Sequence, residues 1–238
     1  MVTNAQPLQA STPALTTPRL AEAARYALLR RLAPSMRHHL VVNLQPIGMI
    51  YEVMDRRLKA PTPNLGEVHD SAQKINNFAK AALGSCLDAV TWFAPDDAVR
   101  TTAEDGVREC LGLVATSLTF RGYSVRNDVT PVPGQVRRSS LRNVFTAALI
   151  HSTDYTRAPA EIVITGQGTP KALVLTLAMN PSEGEPSFFA EPPYRQIDAA
   201  DLDALAAADG VELTREGPLL LRLALPWTAP AAPAPAAS

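Results

Sequence analysis

Apolar residues in the first third of the chain recur with the period of an α-helix. Leu29, Leu32/Ala33, Met36, Leu40, Leu44, Ile47, Ile50 and Met54 fall on one face at about 100° per residue. The spacing predicts a helix over about Pro18–Lys59, with Thr17 as its cap and Pro18 in the first helical position. Pro34 and Pro46 each remove an amide donor and are expected to bend or break it, with a fresh start near Ser35 as the alternative at Pro34. Ala60–Asn64 is a stop. A second helix is expected over Leu65–Phe93, where Ile75, Ala79, Ala82, Cys86, Val90 and Phe93 alternate by four and three. Two long helices joined by a short turn predict an antiparallel hairpin. Its uncovered outer side predicts a two-fold pairing into a four-helix bundle.

Beyond a linker at Ala94–Arg100 the pattern changes. Ala103–Phe120 reads as a helix with Val107, Cys110, Leu111, Val114 and Leu118 inward. Tyr123–Val129 alternates as a strand, Pro131–Gly134 turns the chain, and Ser139–Thr153 is a helix. Strands follow at Glu161–Thr165 and Ala172–Met179, a helix at Asp201–Ala208 ending at Gly210, and a hairpin of Val211–Thr214 with Leu219–Leu225. This order describes a mixed sheet covered by helices on one face. The division read from these patterns is 1–17 disordered, 18–94 helical hairpin, 99–227 α/β unit and 228–238 disordered tail.

Composition narrows the function classes. A net charge of −1 gives no electrostatic case for nucleic acid or an anionic membrane surface. No apolar run reaches the length of roughly 18 residues that a membrane span needs, and no apolar leader stands at the N-terminus, so a cytoplasmic protein is expected. Cys86 and Cys110 lie in apolar helical patterns and read as small core residues. No nucleophile-elbow string is present, and His69 is given no role. The remaining chemistry is the pair His38 and His39. By helical phase His38 points away from the apolar stripe into solvent, and His39 lies on the flank. Adjacent helical residues point about 100° apart and do not readily share one ion, so metal binding by the pair is the weaker reading.

The string around His38 resembles the histidine box of sensor histidine kinases. Apolar residues stand two before it (Met36) and two, six and nine after it (Leu40, Leu44, Ile47). The acidic neighbour of that box is replaced by His39, and its proline at plus five by Asn43, with a proline later at Pro46. Shifted by one residue, the same box places His39 as the acceptor. Residues Ala103–Pro226 resemble, in element order, the ATP-binding domain of those kinases. His151 stands where its magnesium-binding asparagine belongs, and Met179 or Asn180 where its adenine-reading aspartate belongs. The lid is shortened to Ser187–Gln196, without a glycine cluster to cradle phosphate. The whole is similar to the dimeric histidine phosphotransferases of bacterial phosphorelays. His38-His39-Leu40 and Pro46-Ile47-Gly48 look like their motif, with three more residues between its halves.

This resemblance implies an α+β chain: an N-terminal helical hairpin, paired as a dimeric four-helix bundle, followed by a degenerate histidine-kinase-ATPase-like α/β sandwich. It implies a histidine phosphotransfer protein in which His38 or His39 carries the phosphoryl group. Arg37 would pair with the phosphoryl oxygens, its plainer alternative being a solvated helix charge, and Asn43 and Gln45 would orient water or the partner surface. The expected partners are response-regulator receiver domains and a second copy of the chain, with no nucleic acid and no membrane. No cofactor or metal is expected on this chain, ATP is not expected to bind, and Mg²⁺ is expected only on the receiver. The rival reading is a non-catalytic, kinase-like dimeric scaffold that docks a receiver or kinase.

Overall fold

The computed structural model describes residues 17–183, 194–217 and 219–228. The two ends expected to be disordered, 1–17 and 228–238, lie outside this range except for Thr17 and Thr228, as does most of the shortened lid.

Helix α1 (Thr17–Leu58) runs unbroken for 42 residues, with Pro34 and Pro46 inside it. The break expected at those prolines is therefore corrected. A helix-interior proline costs about 3 kcal/mol and orphans the carbonyl four residues back. Here those carbonyls belong to Arg30 and Val42, both exposed, so water can satisfy them. Packing holds the turns on either side. Upstream of Pro34, a narrow face of Ala21, Ala24, Ala27, Leu28 and Leu32 is buried, and Met36 continues it beyond the proline. Most of that face belongs to the same apolar cluster as the α/β layer. Downstream, α1 packs along α2 (Leu65–Phe93), whose first turn is capped by Asn64 accepting from the N–H of Gly66 at 3.0 Å.

Several of the inward assignments do not hold: on α2, Ala79 is exposed, as are Val90 at 59% and Phe93 at 61%. Leu44 is 52% exposed, and Cys86 is exposed whereas Cys110 is fully buried. Leu44 lies beyond the edge of the stripe that faces α2, and the buried residues of α2 are Ser71, Ala82 and Trp92, with Cys86 on the flank of that face.

The supposed linker carries a short strand. Arg100–Thr101 (β1) pairs antiparallel with Val136–Arg137 (β3). Helix α3 (Ala103–Phe120) lies between β1 and strand β2 (Tyr123–Asp128). A helical run then follows β3 in three parts: α4 (Arg138–Ser140), a π-helical turn over Leu141–Phe145, and α5 (Thr146–Tyr155). All five residues of the π turn are buried. Gly106 of α3 lets this turn approach, since a Cβ there would lie 2.9 Å from a methyl of Leu141. Strands β4 (Ala160–Gly168) and β5 (Ala172–Pro181), helix α6 (Ala199–Asp209), and strands β6 (Glu212–Arg215) and β7 (Leu220–Pro226) complete the chain. Gly210 ends α6 with a φ of 66°, the left-handed cap that glycine adopts most easily.

The five-stranded sheet has the order β2-β4-β5-β7-β6. Only β2 and β4 pair in parallel, with Tyr123 opposite Ala160, and the helical run 138–155 is their crossover. Leu173, Leu175, Leu177 and Met179 of β5 alternate inward, as do Leu221, Leu223 and Leu225 of β7, against the helices. The class is α+β, as expected, with a mixed sheet beside a long helical hairpin.

Candidate functional site

The histidine pair lies on α1 just beyond Met36, the last residue of the helix buried against the core. His38 is exposed and His39 half-buried, with ring centroids 6.3 Å apart. The helical phase accounts for both positions: one ring clears the surface, the other turns toward α2. Arg37 and Gln45 are exposed on the same stretch of helix.

Asn43 is placed differently. Its amide donates to the His39 carbonyl at 3.0 Å and to Ser85 Oγ of α2 at 3.2 Å. That side chain is committed to the α1–α2 contact and clamps the backbone of the histidine turn.

Beside His39 opens a cavity of about 240 Å³. Its walls are Met36 and His39 of α1, Ser85, Asp88 and Trp92 of α2, and Leu113 of α3. The surroundings of His39 are thus built by three helices, one of them from the α/β layer.

Residues that the sequence patterns did not single out hold these walls in place. Arg142, in the π turn, is 3% exposed. It donates to Asp88 Oδ1 at 2.8 Å and to Thr91 Oγ1 at 2.7 Å, both on α2, and its carbon Cζ lies 4.7 Å from the centre of the Trp92 ring. Its Nε donates to Glu109 of α3 at 2.7 Å, and Arg138 grips the same carboxylate through two bonds of 2.9 and 2.7 Å. Burial pushes the Glu109 carboxyl up, but the bonds from Arg138 and Arg142 outweigh it and hold it below the usual range. The one available signal was a guanidinium between Leu141 and Val144 in an apolar helix, a place where arginine must find a partner.

At the other end of the α/β layer, His151 Nδ1 lies 2.7 Å from the Ile197 carbonyl. It lines a second cavity, of about 470 Å³, with Tyr155, Asp198, Arg215 and Leu221. The first turn of α6 is closed by its own carboxylates. Asp198 accepts from the Asp201 N–H at 2.8 Å, and Asp201 accepts from the Asp198 N–H at 3.2 Å. Met179 is buried in the core and Asn180 is exposed, its amide 3.5 Å from Glu161.

Among the described residues, no group of three His, Cys, Asp or Glu side chains is placed to share a metal ion. No helix of the described residues is long and apolar enough to cross a membrane.

No protein-family model matches the chain, and no curated protein matches it. Among solved structures it is similar to the histidine kinase AdeS of Acinetobacter baumannii, at 11% identity over 76% of this chain and 96% of that one, with a TM-score of 0.42. A histidine kinase from Burkholderia phymatum STM815 is similar at 14% identity over 90% and 100% of the two chains, with a TM-score of 0.42. A bacterial phosphotransferase is similar at 12% identity over 89% and 98%, with a TM-score of 0.39. The structural neighbours of this chain are histidine kinases and a phosphotransferase, at low sequence identity.

Proposed function

We propose that this chain is a histidine-containing phosphotransfer protein of a two-component phosphorelay. The observation that carries the reading is the exposed ring of His38 on a helix clamped from behind by Asn43, Ser85 and the α2 contact. A nucleophile that a second protein must reach has to stand clear of a rigid support.

In this reading a ring nitrogen of His38 attacks the phosphorus of an aspartyl phosphate on a receiver domain. The N–P bond forms as the acyl O–P bond breaks, the receiver recovers its carboxylate, and the second ring nitrogen releases its proton to solvent. The reverse step delivers the group to another receiver. The Mg²⁺ and the in-line geometry come from the receiver. Arg37 stands one residue before the acceptor and neutralises phosphoryl charge, and Gln45 lies on the exposed surface that the receiver covers. His39 is the alternative acceptor, and its half-buried position makes it the less accessible of the two.

ATP has no part in this reading. The resemblance puts His151 in the place of the magnesium-binding asparagine, and its Nδ1 lies against the Ile197 carbonyl. The N–H groups opening α6 face their own Asp198 and Asp201, and carboxylates there repel phosphate. The second partner is another copy of the chain, paired through the outer face of the hairpin.

The test is incubation with phosphorylated receiver domains, looking for acid-labile, base-stable label on this chain. Label that disappears in His38→Gln and persists in His39→Gln supports the assignment. The opposite pattern moves the acceptor to His39. No label with any receiver, alongside stable receiver binding, leaves the non-catalytic scaffold.

A further inference from the structure

Two charge clusters, each built on a sealed guanidinium, join the α/β layer to the hairpin, one on each helix of the hairpin. The first centres on Asp154, at the end of α5. Both of its oxygens take Arg31 of α1, at 2.7 Å each. Arg121, just beyond α3, approaches at 3.4 Å, and the Ile197 N–H donates at 3.1 Å. The Arg31 and Asp154 side chains are 5% and 1% exposed. Alongside, Arg30 of α1 lies over the ring of Tyr194 at 5.2 Å. The second cluster is Arg142 with Asp88, Thr91 and Trp92 of α2 and Glu109 of α3.

We propose that these two clusters are a latch that holds the α/β layer in a single pose on the hairpin, so that the chain moves as one rigid body. Most of the buried face of α1 shares the core of the α/β layer, and helices packed in this way can still slide on one another. Opening the first cluster separates Arg31 from Asp154, and opening the second takes Arg142 from Asp88 and Thr91 of α2 while it keeps Glu109 of α3, each a loss of charge-assisted hydrogen bonds. One such point leaves an axis to swing about. Two points, on α1 and on α2, remove it.

The π turn is the local device that makes the second point. Arg142 and its neighbour Asn143 are both buried and bind in different directions, Arg142 to α2 and α3, Asn143 to Asp209 of α6 at 3.1 Å. A π turn re-aims consecutive side chains in this way, and such turns gather at functional positions. The latch also keeps Leu113 of α3 as the third wall of the cavity beside His39. The proposal does not rest on phosphoryl transfer and stands whether or not the histidines carry phosphate.

The experiment is a distance measurement between two nitroxides by pulsed electron resonance. Labels go on cysteines placed at Lys80 of α2 and Gln167 of β4, both exposed, in a Cys86→Ser background. Labelled chains are diluted with unlabelled ones, so that only pairs within one chain are read. The expected result is one narrow distance, lost to a broad distribution in the double variant Arg142→Gln, Asp154→Asn. A broad distribution in the parent protein overturns the proposal, as does a narrow peak that survives in the double variant. Should the double variant lose its circular dichroism spectrum, Asp88→Asn with Thr91→Ala replaces it. That pair frees α2 from Arg142 while leaving Arg142 bound to Glu109, and the same two outcomes apply.

Discussion

Arg31 and Asp154 stand 123 positions apart in the chain and meet in a two-point ion pair, each N···O distance 2.7 Å. With both side chains nearly sealed, the pair cannot be traded for water when one member is lost. Asp154→Ala leaves the Arg31 guanidinium buried and the Ile197 N–H without its acceptor. The expected loss is about 3–5 kcal/mol of stability, the range for breaking one side of a buried pair. Urea unfolding measures it. Arg31→Met combined with Asp154→Leu should recover part of the loss, because no unpaired charge then remains on α1. A double variant worse than Asp154→Ala would contradict this account.

Two carboxyls, Glu109 half-buried and Asp209 buried, should give pH slopes of opposite sign. Glu109 is held below its usual value, because the bonds from Arg138 and Arg142 outweigh the upward push of burial. Its contribution is therefore complete above the unfolded value near 4.5 and is lost as pH falls through the depressed folded value. Asp209 runs the other way. Burial raises it, and the Asn143 bond with Arg25 and Arg137 only partly offsets this, while Asp97 adds to the rise. Its contribution is complete below 3.8 and is lost as pH rises through the raised folded value. Urea midpoints should show Glu109→Gln weaker than the parent at neutral pH, with the gap closing in acid. Asp209→Asn should gain on the parent as pH rises. Parallel slopes for the two variants would rule out the assigned environments.

Much of this architecture was readable from spacing. The four-and-three alternation of α2 and the period-two run Leu173, Leu175, Leu177, Met179 of β5 each predict an element that is present. The exposure of His38 follows from phase alone. The first half of α1 carries little apolar signal, because its buried face is built largely from Ala21, Ala24 and Ala27. Its prolines carry a local cost that packing on both sides overrides. The π turn left no periodic trace, since Leu141–Phe145 are all buried. The cavity at His39 and both charge clusters are long-range constructions. No local pattern announces that Arg31 will meet Asp154, or that Arg142 will meet Asp88.

The outer face of α2 makes the pairing of two chains testable. Leu83, Leu87 and Val90 are each about 60% exposed and fall at i, i+4 and i+7, which makes one continuous stripe. Burying one leucine is worth about 1.5–3 kcal/mol. Leu83→Glu with Leu87→Glu should weaken self-association about a hundredfold or more, since both copies lose apolar area and gain facing charges. Sedimentation equilibrium reads the change as a fall from twice the chain mass to the single mass. The circular dichroism of the α/β layer should be unchanged, because neither leucine touches that core. A parent protein that stays at single mass at high concentration would refute the pairing.

The two cysteines report on the same face by a different route. Cys110 is fully buried in α3, and burial pushes its thiol up to about 12, so almost no thiolate exists near neutral pH. It should ignore a disulfide reagent until the protein unfolds. Cys86 is exposed in the single chain and lies within the stripe of Leu83, Leu87 and Val90. Pairing of two copies through that stripe covers it. Its reaction rate should therefore fall as protein concentration rises through the range where the mass doubles. In Leu83→Glu, Leu87→Glu the rate should stay fast at every concentration. Titration of the folded parent should count one reactive thiol when dilute and two after denaturant. A Cys110 that reacts as fast as Cys86 would mean that the α3 core opens readily, and a Cys86 rate that ignores concentration would place the contact between copies on another face.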